Sequence, residues 1–217
     1  MIAKDYFISD AKYVELDIAI DHLGILEEAR ALKDHFLTHR RGSYDHKGWR
    51  SLVLHGWNNE QSGHWKDYGY QTIDEVIKDM HWTELSKKCP KTVDFIKNRF
   101  PSNSFGRVRF MLLEAGGYIG EHTDSSVPLL ENTNISLSNP KDCVWQWSDK
   151  DTLYMTPGKT YVMNIHYPHS VYNNSNEDRY HLIVHRFDST PEWKSLLNDA
   201  CKKQGIVGVY QTHEVLT

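Results

Sequence analysis

The run Gly120-Glu-His-Thr-Asp124 sets an imidazole and a carboxylate two residues apart, and farther along come a second imidazole, His169, and the guanidinium of Arg179. In an extended strand, residues i and i+2 project from one face, so His122 and Asp124 can reach a single ion while Thr123 points away. His169 completes a set of two histidines and one carboxylate. Bound on one side of a divalent ion, such a set leaves the opposite positions open, the arrangement with which non-haem Fe(II) sites admit substrate and O2. A His-x-Asp pair alone means little in a chain with 13 histidines. The distant histidine and the arginine that follows it give the pair its weight.

Other residues near these motifs invite chemistry too. Arg107 and Arg109 alternate with Val108 and Phe110, so one edge of a strand is basic. That edge either faces a cavity, where it would hold a substrate carboxylate, or forms a solvated sheet face. His166, His181 and His185 have spacing that fits no ligand role and read as barrel or surface polar groups.

The elements that must position these side chains change character near Asn103. Before it, Leu23, Leu26, Ala29, Leu32 and Phe36 recur at helical spacing after a possible Asp21 cap, predicting a helix that ends near Gly42. Residues 73–80 and 92–100 read as shorter helices, the second opening after Cys89-Pro90 with proline where a first turn tolerates it. Residues 50–55 look like a strand, and residues 56–70 form an aromatic, glycine-containing loop. From Phe105 onward, short β-like runs at 107–113, 134–138, 144–147, 160–165, 170–172 and 181–187 are separated by turn residues. A closing helix after Pro191 carries Trp193, Leu196, Leu197 and Ala200. The expected fold is mainly β with flanking helices, around a double-stranded β-helix core of jelly-roll, cupin-like type.

At 217 residues the chain is expected to form a single domain. Residues 1–102 would be a helical part with a substrate-side loop, 103–188 the jelly-roll core and 189–217 a carboxy-terminal helix and tail. A net charge of −4 with interspersed lysines and acids gives no basic stripe for nucleic acid. Nowhere do 18 apolar residues run together, and Met1 to Asp10 lack the pattern of a signal peptide, so no membrane partner is expected. Three widely spaced cysteines, Cys89, Cys143 and Cys201, fit reduced thiols and a cytoplasmic setting. Oligomeric state cannot be read from these features.

With the motifs in view, the chain resembles the aspartyl/asparaginyl β-hydroxylase family of Fe(II)- and 2-oxoglutarate-dependent oxygenases from Trp49 to about Arg186. The parts that carry the resemblance begin with Gly48-Trp-Arg-Ser-Leu-Val-Leu54, Cys89-Pro-Lys-Thr92 and Arg107-Val-Arg-Phe-Met-Leu-Leu-Glu-Ala-Gly116 leading to His122. Asn134-Ile-Ser-Leu137, Asp142-Cys143 and Thr156-Pro-Gly158 follow, then Tyr161-Val-Met-Asn-Ile-His-Tyr-Pro-His169 and Arg179. The resemblance implies that His122 and His169 are iron ligands and that Arg179 pairs with the C5 carboxylate of 2-oxoglutarate, a task its planar fork of donors suits. It also places Trp49 and Asn134 beside the cosubstrate. Some relatives hold iron with two histidines and a small residue at the third position; Asp124 implies a full triad here and argues against a halogenase. The implied reaction consumes O2 and 2-oxoglutarate, releases succinate and CO2, and hydroxylates an unactivated C–H bond of a small-molecule or peptidyl substrate, such as an amino acid or an Asp, Asn or Pro side chain.

Two other readings keep part of this pattern. A cupin-like isomerase or hydrolase would use the same metal as a Lewis acid, without 2-oxoglutarate. A non-catalytic metal-binding module would have lost a ligand or the anchoring arginine, and this chain keeps both.

Overall fold

The computed structural model describes residues 3–40, 45–58 and 65–214. Its strands are β1 (Ala3–Ile8), β2 (Tyr13–Leu16), β3 (Leu37–Thr38), β4 (His46–Gly56), β5 (His81–Trp82), β6 (Phe105–His122), β7 (Leu129–Ser136), β8 (Cys143–Trp147), β9 (Thr152–Leu153), β10 (Thr160–Asn164), β11 (His169–Asn173), β12 (Arg179–Arg186) and β13 (Val209–Glu214). Among the described residues they are accompanied by the helices α1 (His22–Ala31), α2 (Ile73–Lys78), α3 (Pro90–Asn98) and α4 (Pro191–Lys203).

All pairings are antiparallel. The larger layer runs β2, β10, β7, β12, β6, β4, while β11, β8 and β9 continue from the far end of β6 as a smaller layer. Strand β6 belongs to both layers: its first half pairs with β12 and its last residues with β11. The change of partner falls at Gly116, whose φ of +66° suits glycine, and at Gly117, where a Cβ would meet the carbonyl oxygens of Glu114 and Lys47 at 2.8 Å. A curled antiparallel sheet of this kind is the expected jelly roll.

The larger layer uses both of its faces. Val108, Phe110 and Leu112 of β6, with Tyr180, Leu182 and Val184 of β12, join Ile25, Phe95, Ile96 and Trp193 in a core under α1, α3 and α4. The alternate residues turn to the inside of the roll, where Trp145, Trp147, Tyr161 and Met163 form a second core. On β6 and β12 the inward positions include Arg107, Arg109, Arg179 and His181, so these strands alternate apolar with polar residues.

Three expectations need correction. The long amino-terminal helix stops at Ala31: Lys33–His35 tighten to a 3-10 turn and Phe36 is extended, because Leu37–Thr38 must pair with β4. Residues 1–102, expected to be helical, also carry β1 to β5, and β1 and β2 add to β7 and β10 in the larger layer. Short strands such as Tyr13–Leu16 carry too few residues for a period to show. Of the expected 56–70 loop, residues 59–64 lie outside the described residues, Gly56 ends β4, and Trp65–Tyr68 form a 3-10 turn. Helix α3 opens with Pro90 in its first turn as expected, and α4 carries a Thr190 cap that accepts from the Trp193 N–H at 3.1 Å. No helix among the described residues is long and apolar enough to cross a membrane.

Candidate functional site

His122 is the last residue of β6 and His169 the first of β11, and the antiparallel register sets them opposite each other with ring centroids 4.3 Å apart. Asp124 reaches them by a different route from the strand periodicity expected. The strand stops at His122, and Asp124 lies on the following turn, where its N–H donates to the Ile165 carbonyl at 3.0 Å. The outcome is the same: Asp124 Oδ2 is 3.5 Å from His122 Nε2, and one ligand atom from each of the three residues lies within 4.8 Å of the others.

The imidazoles are oriented alike. Nδ1 of His122 lies 2.8 Å from the Gly120 carbonyl and Nδ1 of His169 lies 2.8 Å from the Tyr167 carbonyl. A carbonyl oxygen only accepts, so Nδ1 carries the proton in each ring and Nε2 keeps its lone pair for an ion. Trp145 stacks on His169 at 4.5 Å with planes 12° apart, which fixes the ring further. Burial, followed by the neighbouring His122, holds His169 down to about 4, so it is neutral. At His122 burial pulls the same way, but the Asp124 carboxylate outweighs it and the net shift is upward. A site that favours a proton between an imidazole and a carboxylate favours a metal cation there for the same reason. Two Nε2 atoms and a carboxylate fit a divalent ion with nitrogen and oxygen preferences, Fe(II) included.

Beside the triad lies an inner cavity of about 70 Å³, lined also by Arg179, His181, Asn134 and Trp49. Arg179 is 5% exposed; its Nε donates to Asn139 Oδ1 at 3.0 Å and Nη2 approaches Met155 Sδ at 3.5 Å. Burial lowers its pKa to about 10, and among the described residues no carboxylate pairs with it. A buried guanidinium without a counter-charge calls for an anion in the cavity. Asn134 is buried, its amide donating to the Asn132 carbonyl at 3.3 Å. Trp49 sits with its ring 6.4 Å from that of His122 and edge-on to His39 at 4.4 Å.

His181 is the residue that sequence reasoning missed. It is 3% exposed, lines the same cavity as Arg179, and its buried Nε2 has no hydrogen-bond partner among the described residues. Burial first, then the charge of Arg179, holds it neutral. The signal was available: His181 stands at i+2 from Arg179 on one strand, the rule already applied to His122 and Asp124. His185 lines the outer cavity, whereas His166 braces the turn after β6 with Nδ1 3.1 Å from the Ser125 carbonyl.

An outer cavity of about 450 Å³ shares Trp49, Asp124, Asn132 and Ile183 with the inner one. Arg107 and Arg109 line it, so the basic edge of β6 faces a cavity rather than forming an open sheet face. Arg109 is 5% exposed, with Nη2 3.4 Å from His185 Nε2.

The family model described as Aspartyl/Asparaginyl beta-hydroxylase matches residues 21–188. None of the curated proteins compared matches the chain. Among solved structures, the chain is similar to a prolyl-4-hydroxylase from Pseudomonas putida at 14% identity and TM-score 0.45, over 82% of this chain and 94% of that one. A prolyl hydroxylase from Trichoplax adhaerens, solved with a peptide fragment of the hypoxia inducible factor oxygen degradation domain, aligns at 11% identity and TM-score 0.48, over 86% and 87%. The viral collagen prolyl hydroxylase of Paramecium Bursaria Chlorella virus-1, in its 2OG complex, aligns at 11% and 0.44, over 81% and 96%.

Proposed function

The chain belongs to the aspartyl/asparaginyl β-hydroxylase family of 2-oxoglutarate-dependent hydroxylases, and on that premise we propose that it hydroxylates an unactivated C–H bond of an amino-acid or peptidyl substrate of Asp, Asn or Pro type. In this reading, His122, Asp124 and His169 hold Fe(II), and the whole chain works as one oxygenase domain. The ion supplies the coupling of O2 reduction to decarboxylation of 2-oxoglutarate, giving succinate, CO2 and the hydroxylated product.

The chain's own residues do the rest. The Nδ1–H bonds to Gly120 and Tyr167 carbonyls keep both Nε2 lone pairs aimed away from the backbone. Arg179, steadied by Asn139, takes the far carboxylate of 2-oxoglutarate, with Asn134 available as an amide donor. Trp49 lines both cavities, beside the cosubstrate in this reading. Arg107 and Arg109 hold a carboxylate of the substrate in the outer cavity. The observation that carries the proposal is the convergence of three ligand atoms within 4.8 Å beside a cavity containing a buried, carboxylate-free guanidinium. Its test is a screen of free amino acids and short peptides with Fe(II) and 2-oxoglutarate, read by mass spectrometry. A substrate that gains one oxygen atom as succinate forms supports it; turnover with zinc and no 2-oxoglutarate contradicts it.

A further inference from the structure

The outer cavity is rich in buried donors, and among the described residues the unpartnered buried acceptor in its lining is the neutral Oδ1 of Asn132, a residue shared with the inner cavity. Among the described residues, Nε and Nη1 of buried Arg109 and Nε1 of buried Trp57 have no hydrogen-bond partner, and all three belong to side chains that line this cavity. Arg107 lies with its guanidinium 5.5 Å from the Trp57 ring centroid, so the donors form one group. The two acids in the lining are otherwise engaged. Glu131 is bonded to buried Lys4, and Asp124 stands at the metal centre. His185 and His39 are held neutral, chiefly by burial, and add no positive charge of their own. Arg109 Nη2 has His185, but buried guanidinium donors are costly to leave unpaired, so the acceptor for Nε and Nη1 comes with the ligand.

Another part of the lining is apolar. Val76 and Leu129 are buried there, and Met80 and Phe187 complete it. Together the unpaired donors and the apolar lining describe an amphipathic ligand. Resting on the reading of this cavity as the substrate site, we infer that the substrate is an organic acid whose free carboxylate meets Arg109, Arg107 and the Trp57 N–H, and whose apolar body lies against Val76, Met80, Leu129 and Phe187. Within the proposed substrate range, this selects a free acid with an apolar side chain over a peptidyl aspartate or asparagine flanked by backbone on both sides.

The test is binding, followed on metal-free protein by tryptophan fluorescence and calorimetry. The probes are 4-phenylbutanoate, its neutral amide, and acetate. The expected result is saturable binding of 4-phenylbutanoate, with the amide and acetate each weaker by at least about tenfold, since each lacks one half of the recognition. Arg109→Met and Arg107→Gln should each weaken 4-phenylbutanoate by about tenfold or more. Arg99→Gln, which changes an exposed arginine paired with Asp94, should not. Arg109→Met should also raise the Tm of the ligand-free protein, because it removes two buried donors that have no hydrogen-bond partner among the described residues. Trp57→Phe keeps the aromatic wall, removes one donor, and covers the case in which an arginine variant misfolds. Equal affinity for the acid and its amide, undiminished binding in both arginine variants, or no binding of millimolar 4-phenylbutanoate would overturn the inference. Succinate release from 2-oxoglutarate and Fe(II) is scored separately; if it persists without acid selectivity, only the substrate class is wrong.

Discussion

His122 and His169 are partners in a single antiparallel pairing of β6 with β11, and their rings lie 4.3 Å apart. The proposed metal centre is therefore built on the hydrogen-bonded frame of the smaller layer, with Asp124 brought in by a turn fastened to Ile165.

Removing either imidazole should empty the site. His122→Ala and His169→Ala are expected to abolish Fe(II) or Mn(II) binding measured by calorimetry, because two remaining donors rarely hold a labile ion. Asp124→Ala should leave two imidazoles and weak binding. Wild-type affinity in the Asp124 variant would show that the turn carboxylate is not a ligand.

The cosubstrate prediction is separable from the metal one. Arg179→Ala should weaken 2-oxoglutarate by roughly 2–4 kcal/mol in Mn(II)-loaded protein, as expected when one partner of a buried charge pair is truncated. Arg179→Lys should restore only part of it, because an ammonium lacks the planar fork. His181→Leu should weaken 2-oxoglutarate less than Arg179→Ala while leaving Mn(II) affinity unchanged. Unaltered cosubstrate affinity in the arginine variant would remove Arg179 from the site.

Much of this site was legible in the sequence because a strand leaves a period of two that a reader can use. That period links Arg107 to Arg109 and Arg179 to His181. It does not explain Asp124, which reaches the centre from a turn after the strand has ended. The early strands β1 and β2 were illegible for another reason: their place is set by partners more than a hundred residues away in β7 and β10, and no local pattern records that pairing. The end of α1 at Ala31 is likewise dictated by the pairing of Leu37 with Ser51.

Gly117 should prove intolerant of a side chain. A Cβ there would stand 2.8 Å from two backbone oxygens, so Gly117→Ala should cost about 1–3 kcal/mol in denaturant unfolding. It should also weaken metal binding, because the displaced segment of β6 carries His122. Full stability in this variant would mean that the partner change of β6 is looser than its backbone contacts imply.

The thiols give a pH prediction. Burial pushes Cys89 from 9.0 up to about 12 and Cys201 from 9.0 up to about 11. A group whose pKa is raised on folding contributes stability that is complete below the unfolded value and lost as pH rises through the folded one. The contribution of Cys89 should therefore be whole below pH 9 and decline toward about pH 12. Cys89→Ala should flatten that part of the stability curve relative to wild type. Native protein should also resist alkylation at pH 8 and react at all three buried cysteines once unfolded.

Succinate formation tests the central claim most directly. Wild-type protein with Fe(II), 2-oxoglutarate and a substrate identified by the screen should release succinate only when O2 is present, and His169→Ala should release none. Succinate formed without O2, or formed equally well by the His169 variant, would contradict the account.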